Sequence, residues 1–188
     1  MSFEEQISLA VLTLLVIALV LLRKVFRRAR SGKPAATEEK PPENAVVIDG
    51  SNVMHWKGGS PDLATVRQVV DLLTKKGFAP GVVFDANAGY LLTGKYQHDG
   101  ALSRALGIPE NRVMVVPKGT PADPSILTAA RDMNARVVTN DRFRDWADEF
   151  PEIRTPGHLI RGNIKSGQVY LQLSRSKNRN KSRKRRSG

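Results

Sequence analysis

Four short apolar runs at residues 45–48, 81–84, 113–116 and 136–139 constrain the fold more than any other feature of the chain. Each is continuously apolar rather than alternating, as in strands covered on both faces of a parallel sheet. Helical patterns lie between them. Ser60-Pro61-Asp62 predicts a helix start, with a cap, a proline at the first position and an acid in the first turn. Leu63, Val66, Val70 and Leu73 then mark one face, and Lys75-Lys76-Gly77 ends it. A shorter helix is expected over 99–106, closed by Gly107. A third opens at Asp123-Pro124, with Ile126, Leu127, Ala130 and Met133 on its face, and a short fourth opens at Asp141. Strands alternating with helices predict an α/β fold with an open parallel sheet flanked by helices. Runs 159–164 and 168–173, with Ser166-Gly167 between them, predict a terminal hairpin on the sheet edge.

In such sheets ligands bind beyond the carboxyl ends of the strands. Asp49 follows the first run, Asp85 the second and Asn140-Asp141 the fourth, while Asp123 starts the helix after the third. Asp145, four residues beyond Asp141, is expected one turn up the same helix face. Each has a structural alternative: Asp123 and Asp141 as helix caps, Asp85 with Asn87 as a turn. Taken together they repel. A helical Asp141–Asp145 pair alone costs ~0.2–0.5 kcal/mol unless a cation sits between its members. Arg142 and Arg144 offset part of this. A hard divalent cation, taking oxygen ligands and substrate phosphate, does so directly and activates water.

The flanks differ from this middle. Residues 7–22 carry no charge and only Ser8 and Thr13 as polar groups. As a helix they span about 24 Å, extendable through Val25 and Phe26 if Arg23 and Lys24 snorkel. Glu4 and Glu5 ahead of the run disfavour a cleaved signal peptide, and its uniform apolarity disfavours a core helix. A single transmembrane anchor with its basic juxtamembrane segment is therefore expected over 1–30. Arg23, Lys24, Arg27, Arg28 and Arg30 all follow the span, so the remainder is expected to face the cytoplasm. Residues 31–43, with Pro34, Pro41 and Pro42, read as a flexible linker, and 44–173 as the domain.

The formal net charge is +12, but residues 44–173 hold 15 basic and 13 acidic residues, so the excess lies outside the domain. The tail at 174–188 has eight Lys/Arg, no acid and no apolar residue. It reads as disordered, with RNA backbone or anionic lipid as natural partners. The chain has no cysteine, which removes disulfides, thiolate zinc sites and a cysteine nucleophile. There is no phosphate-binding GxxxxGK[ST] loop and no GxGxxG after the first strand. His55, His98 and His158 are too scattered to predict a metal-free acid–base pair.

The segment VVIDGSNV at 46–53 resembles the opening strand and loop of NYN domains in the PIN-like nuclease superfamily, above all the Regnase-type ribonucleases. DPSILTAARDMNARVVTNDRFRDW at 123–146 resembles their second motif, in which an acid opens a helix and a strand then ends in Asn-Asp followed by Arg-Asp. The likeness covers about residues 44–146. It implies a PIN-like fold and Asp49, Asp123, Asp141 and Asp145 as the cluster holding Mg²⁺ or Mn²⁺. It also implies that Asn52 orients a carboxylate or a water. Where the Regnase-type motif often has two adjacent acids, this chain has Ala122-Asp123, and Asp85 is the candidate for the missing charge. The expected activity is metal-dependent hydrolysis of RNA phosphodiesters at a membrane, with Lys118, Arg142, Arg144 and the tail on the strand. The alternatives are an inactive RNA-binding module tethered to the membrane and a DNA-directed nuclease.

Overall fold

The computed structural model describes residues 42–173. The expected membrane span, nearly all of the linker and the basic tail lie outside the described residues. Among those described, no helix is long and apolar enough to cross a membrane.

The chain runs β1 (Ala45–Asp49), α1 (Gly50–Val53), α2 (Leu63–Lys75), β2 (Ala79–Phe84), α3 (Ala88–Thr93), α4 (Asp99–Leu106) and β3 (Val113–Val115). It continues through α5 (Ala122–Asp132), β4 (Arg136–Val138), β5 (Leu159–Ile160), β6 (Gly162–Lys165) and β7 (Gln168–Leu171). The five-stranded sheet has the order β3-β2-β1-β4-β5, and every pairing in it is parallel. β1 is central and wholly buried. Its alternation sends Val46 and Ile48 to one face and Ala45 and Val47 to the other. On the first face they meet Val66, Val69, Val70 and Leu73 of α2 and Leu102 and Leu106 of α4. On the second they meet Ile126, Leu127 and Ala130 of α5, with Phe143, Phe150 and Ile153 beyond it. The continuous apolarity of the strands thus reflects a sheet covered on both faces.

Four expectations change. The cap of α2 is Asp62, whose carboxylate accepts from the Ala64 N–H at 2.9 Å, so Ser60-Pro61 precedes the helix. α5 starts at Ala122 after Pro121, which places Asp123 inside the first turn rather than at the cap. The run 159–164 divides: Leu159–Ile160 joins the main sheet beside β4, while Gly162–Lys165 pairs antiparallel with Gln168–Leu171 in a separate two-stranded sheet. No α-helix opens at Asp141. Its carboxylate caps a tight turn by accepting from the Phe143 N–H at 2.7 Å. Phe143 adopts φ 48°, and only a short 3₁₀ turn at Arg144–Trp146 follows. Asp145 therefore does not stack one helical turn above Asp141, and the expected helical like-charge pair does not exist.

Candidate active site

The carboxyl edge of the sheet collects the polar groups. At the end of β1 the chain turns straight into α1. Gly50 makes that possible, since a Cβ there would lie 2.5 Å from the Phe84 ring. Asp49 caps this turn and is only 6% exposed. Its Oδ1 accepts from the Asn52 backbone N–H at 3.0 Å, and its Oδ2 accepts from the Thr139 hydroxyl at 2.8 Å. Thr139 is fully buried, and its Oγ1 accepts in turn from the Asp141 N–H at 3.0 Å. One hydroxyl thus couples the central carboxylate to the turn carrying Asp141.

Burial pushes the Asp49 carboxyl up to about 6, against the pull of its two hydrogen bonds, and the charges of Asp123 and Asp141 add to the rise. Asp123 is also raised, by burial and then by Asp141, with Asp145 adding to it, while a hydrogen bond with Trp146 opposes the rise. The fold therefore brings Asp49, Asp123 and Asp141 within electrostatic reach of one another, with Asp145 in reach of Asp123. Asp85 behaves differently. It sits at the end of β2, its carboxylate accepts from the Asn87 N–H at 2.7 Å, and its charge is not among those acting on Asp49 or Asp123. The backbone N–H of Asp85 donates to Ser51 Oγ at 2.8 Å, tying the β2 edge to α1. Among the described residues, no three Asp, Glu or His side chains converge closely enough to hold an ion as they stand.

Asn52 is a bracket. Its Oδ1 accepts from Trp56 Nε1 at 2.8 Å and from the Asn140 N–H at 2.9 Å, so this oxygen is occupied. Only Nδ2 remains to face a carboxylate, a water or a substrate. Asn140 continues the bracket to the hairpin through two bonds with the Gly162 backbone, at 2.9 and 3.2 Å. Arg161 was not singled out in the sequence, yet it fastens the same turn. Its Nη1 donates to the Asp141 carbonyl at 2.7 Å and to the Thr139 carbonyl at 3.4 Å. Arg142 lies near enough for its charge to lower the Arg161 pKa, after burial, which is the larger cause. Arg142, Arg144 and Lys118 are exposed and form no ion pair among the described residues.

Thr139 carried no sequence signal beyond a β-branched residue at a strand end. Its hydroxyl matters only because β1 and β4 are neighbours.

No curated protein matches the chain. Among solved structures it is similar to nuclear proteinaceous RNase P 2 (PRORP2) from A. thaliana, with a TM-score of 0.53 and 20% identity, covering 68% of this chain and 29% of that one. A second structure of PRORP2, the Arabidopsis thaliana nuclear protein-only RNase P 2, gives a TM-score of 0.56 at 19% identity, covering 84% of this chain and 34% of that one. The chain thus matches about a third of the length of those structures, and likeness at this identity speaks to the fold alone. The parallel sheet with its acid cluster at the carboxyl edge is accompanied by a far more direct match in sequence: residues 42–183 fit the Zc3h12a-like ribonuclease NYN domain, and the protein belongs to that family.

Proposed function

We propose that the chain is a metal-dependent endoribonuclease held at a membrane by its N-terminal segment. The observation that carries the reading is Asp49, a buried carboxyl raised to about 6 with Asp123 and Asp141 beside it. Burying the Asp49 carboxylate beside two others of like charge is costly without a compensating cation. An all-oxygen donor set in a cysteine-free chain fits Mg²⁺ or Mn²⁺. Asp49, Asp123 and Asp141 would hold the ion, with Asp145 adding charge beside Asp123. Asp85 would stand outside this set, since its charge is not among those acting on Asp49 or Asp123. Mg²⁺ retains waters and takes substrate phosphate, which suits a site whose side chains do not enclose it. When bound, such an ion activates water and neutralises charge on the transferring phosphoryl group.

The chain's own residues do the rest. Thr139 and the Asn52 N–H fix the Asp49 carboxylate. Arg161 holds the backbone on which Asp141 is mounted. Arg142, Arg144 and Lys118 receive phosphates of the strand, and the tail at 174–188 adds charge for RNA or anionic lipid. The products are a 5′-phosphate and a 3′-hydroxyl.

Labelled RNA and DNA of one sequence, incubated with the full chain, test the substrate. RNA cleavage with Mg²⁺ or Mn²⁺ is expected. Equal or faster DNA cleavage would make it a DNA-directed enzyme, and RNA binding with no cleavage in any metal would make it a tethering module.

The membrane part of the reading is supported by the uncharged run at 7–22 and the five cations that follow it. The full chain should stay with membranes through high salt and carbonate, which release proteins held only by basic clusters. Protease outside intact cells should spare the domain; its digestion there would reverse the topology.

A further inference from the structure

Helix α3 begins at Ala88, three residues after Asp85, so it hangs on the carboxyl end of β2 at the edge that carries the acid cluster. Among the described residues the exposed large hydrophobics are Tyr90 (55%), Leu91 (54%), Tyr96 (54%), Met114 (43%) and Tyr170 (50%). Three of these five lie on α3 and the turn that follows it.

That turn is built, not loose. A Cβ on Gly89 would lie 2.4 Å from the Gln97 nitrogen and 2.9 Å from the Lys95 carbonyl oxygen, the two atoms that flank Tyr96. The backbone of Tyr96 is therefore pressed against the residue preceding Tyr90. Thr93 Oγ1 closes the loop: it bonds to the Gly89 carbonyl at 3.0 Å and the Lys95 carbonyl at 3.3 Å, and accepts from Gln97 Nε2 at 3.0 Å. Gly94, at φ 74°, reverses the chain in the left-handed region. Two tyrosines are thus mounted on one braced turn, with their rings half in water.

Lys95 is exposed between them and forms no ion pair among the described residues. The nearest acids in sequence, Asp85 and Asp99, accept from the backbone N–H groups of Asn87 and Val115. Three apolar residues are far too few for a stable protein interface, which buries roughly 800 Å² per partner. Exposed aromatic faces beside a free cation instead match the needs of a nucleic acid strand, whose unpaired bases stack on tyrosine while lysine meets the phosphate. A duplex offers no free base face to such a surface. We propose that Tyr90 and Tyr96, carried on one turn braced at Gly89 beyond the carboxyl end of β2, form a stacking platform for unpaired bases of the substrate, with Lys95 on its backbone. This rests on the reading of the edge as a ribonuclease site.

The test is binding of the full chain, in EDTA to prevent turnover, to a single-stranded RNA carrying 2-aminopurine. Stacking should quench the fluorophore on binding. Tyr90→Ala and Tyr96→Ala should each weaken binding about 10-fold and reduce the quench. Tyr90→Phe and Tyr96→Phe, which keep the ring face, should bind like wild type. The salt dependence should be the same in all of them, because no charge is removed. Wild type should bind a blunt RNA duplex much more weakly than the single strand. Alanine variants that bind the single strand as wild type does would overturn the proposal, as would equal affinity of wild type for duplex and single strand. Unchanged RNA binding with lost self-association, or with lost flotation on anionic phosphatidylserine vesicles, would assign the patch to a second copy or to lipid and reject the platform. Failure of the underlying reading looks different: wild type would show the tyrosine-dependent quench yet cleave no RNA when Mn²⁺ is restored.

Discussion

Asp49→Asn is expected to abolish RNA cleavage, a fall of at least about 10³-fold, while the chain becomes more stable near neutral pH in EDTA. The loss follows from removing the charge at the centre of the acid cluster. The gain follows from the raised carboxyl. Its unfolded value is 3.8 and its folded value about 6, so the folded state binds the proton more tightly. Stability is therefore full at low pH, falls as pH rises from about 4 to about 6, and stays lower above that by roughly 3 kcal/mol. Asparagine removes that loss. It keeps one oxygen for the Asn52 N–H or the Thr139 hydroxyl but not both, which takes back part of the gain. A net rise of about 1–3 kcal/mol, a few degrees in Tm, should be seen at pH 7.5 and should vanish at pH 4. Thermal melts at the two pH values measure it. Retained cleavage, or a lower Tm at pH 7.5, would contradict the role given to Asp49.

The second large effect is expected from Thr139→Val. The side chain is fully buried and valine matches its shape, so packing is nearly conserved while the hydroxyl is lost. Asp49 Oδ2 then lacks a donor and the Asp141 N–H lacks an acceptor. The Asp49 oxygen is left unsatisfied in a buried position, which costs about 1–3 kcal/mol, while Asp141 is exposed and its N–H has water to turn to. The hydroxyl also holds the Asp49 carboxyl down, so its removal should move the acid limb of the cleavage–pH profile to higher pH. Thr139→Ser, which keeps the oxygen, should restore both stability and profile. A valine variant with an unchanged acid limb would show that this bond does not tune Asp49.

The sheet was legible because its strands are apolar without alternation, and the site edge because three of those runs end in an acid. The shorter elements were not. α1 has four residues and no room for a periodic face. α3 has no side-chain cap at Asn87 and a glycine in its first turn, so nothing local announces it. The turn after β4 was misread for a physical reason. Asn140-Asp141 has the chemistry of a helix cap, but Phe143 enters the core at 2% exposure, and reaching it forces φ 48° and ends any helix at once. Arg161 falls between β5 and β6 where an unbroken strand was expected, because Leu159–Ile160 is drawn into the main sheet by β4. Asn52 was expected to orient a carboxylate or a water; its oxygen goes to Trp56 and Asn140, contacts set by tertiary neighbours, which leaves Nδ2 for that task.

The ends left by the cut report most directly whether a metal site does the chemistry. A 5′-labelled and a 3′-labelled single-stranded RNA, each incubated with the full chain in Mn²⁺ and in excess EDTA, should be resolved beside standards for every end group. Hydrolysis at the aspartate cluster predicts 5′-phosphate and 3′-hydroxyl ends in Mn²⁺ and intact RNA in EDTA. Cleavage that persists in EDTA and leaves 2′,3′-cyclic phosphate ends would mean that the RNA's own 2′-hydroxyl attacks without a metal, and would contradict the site described here.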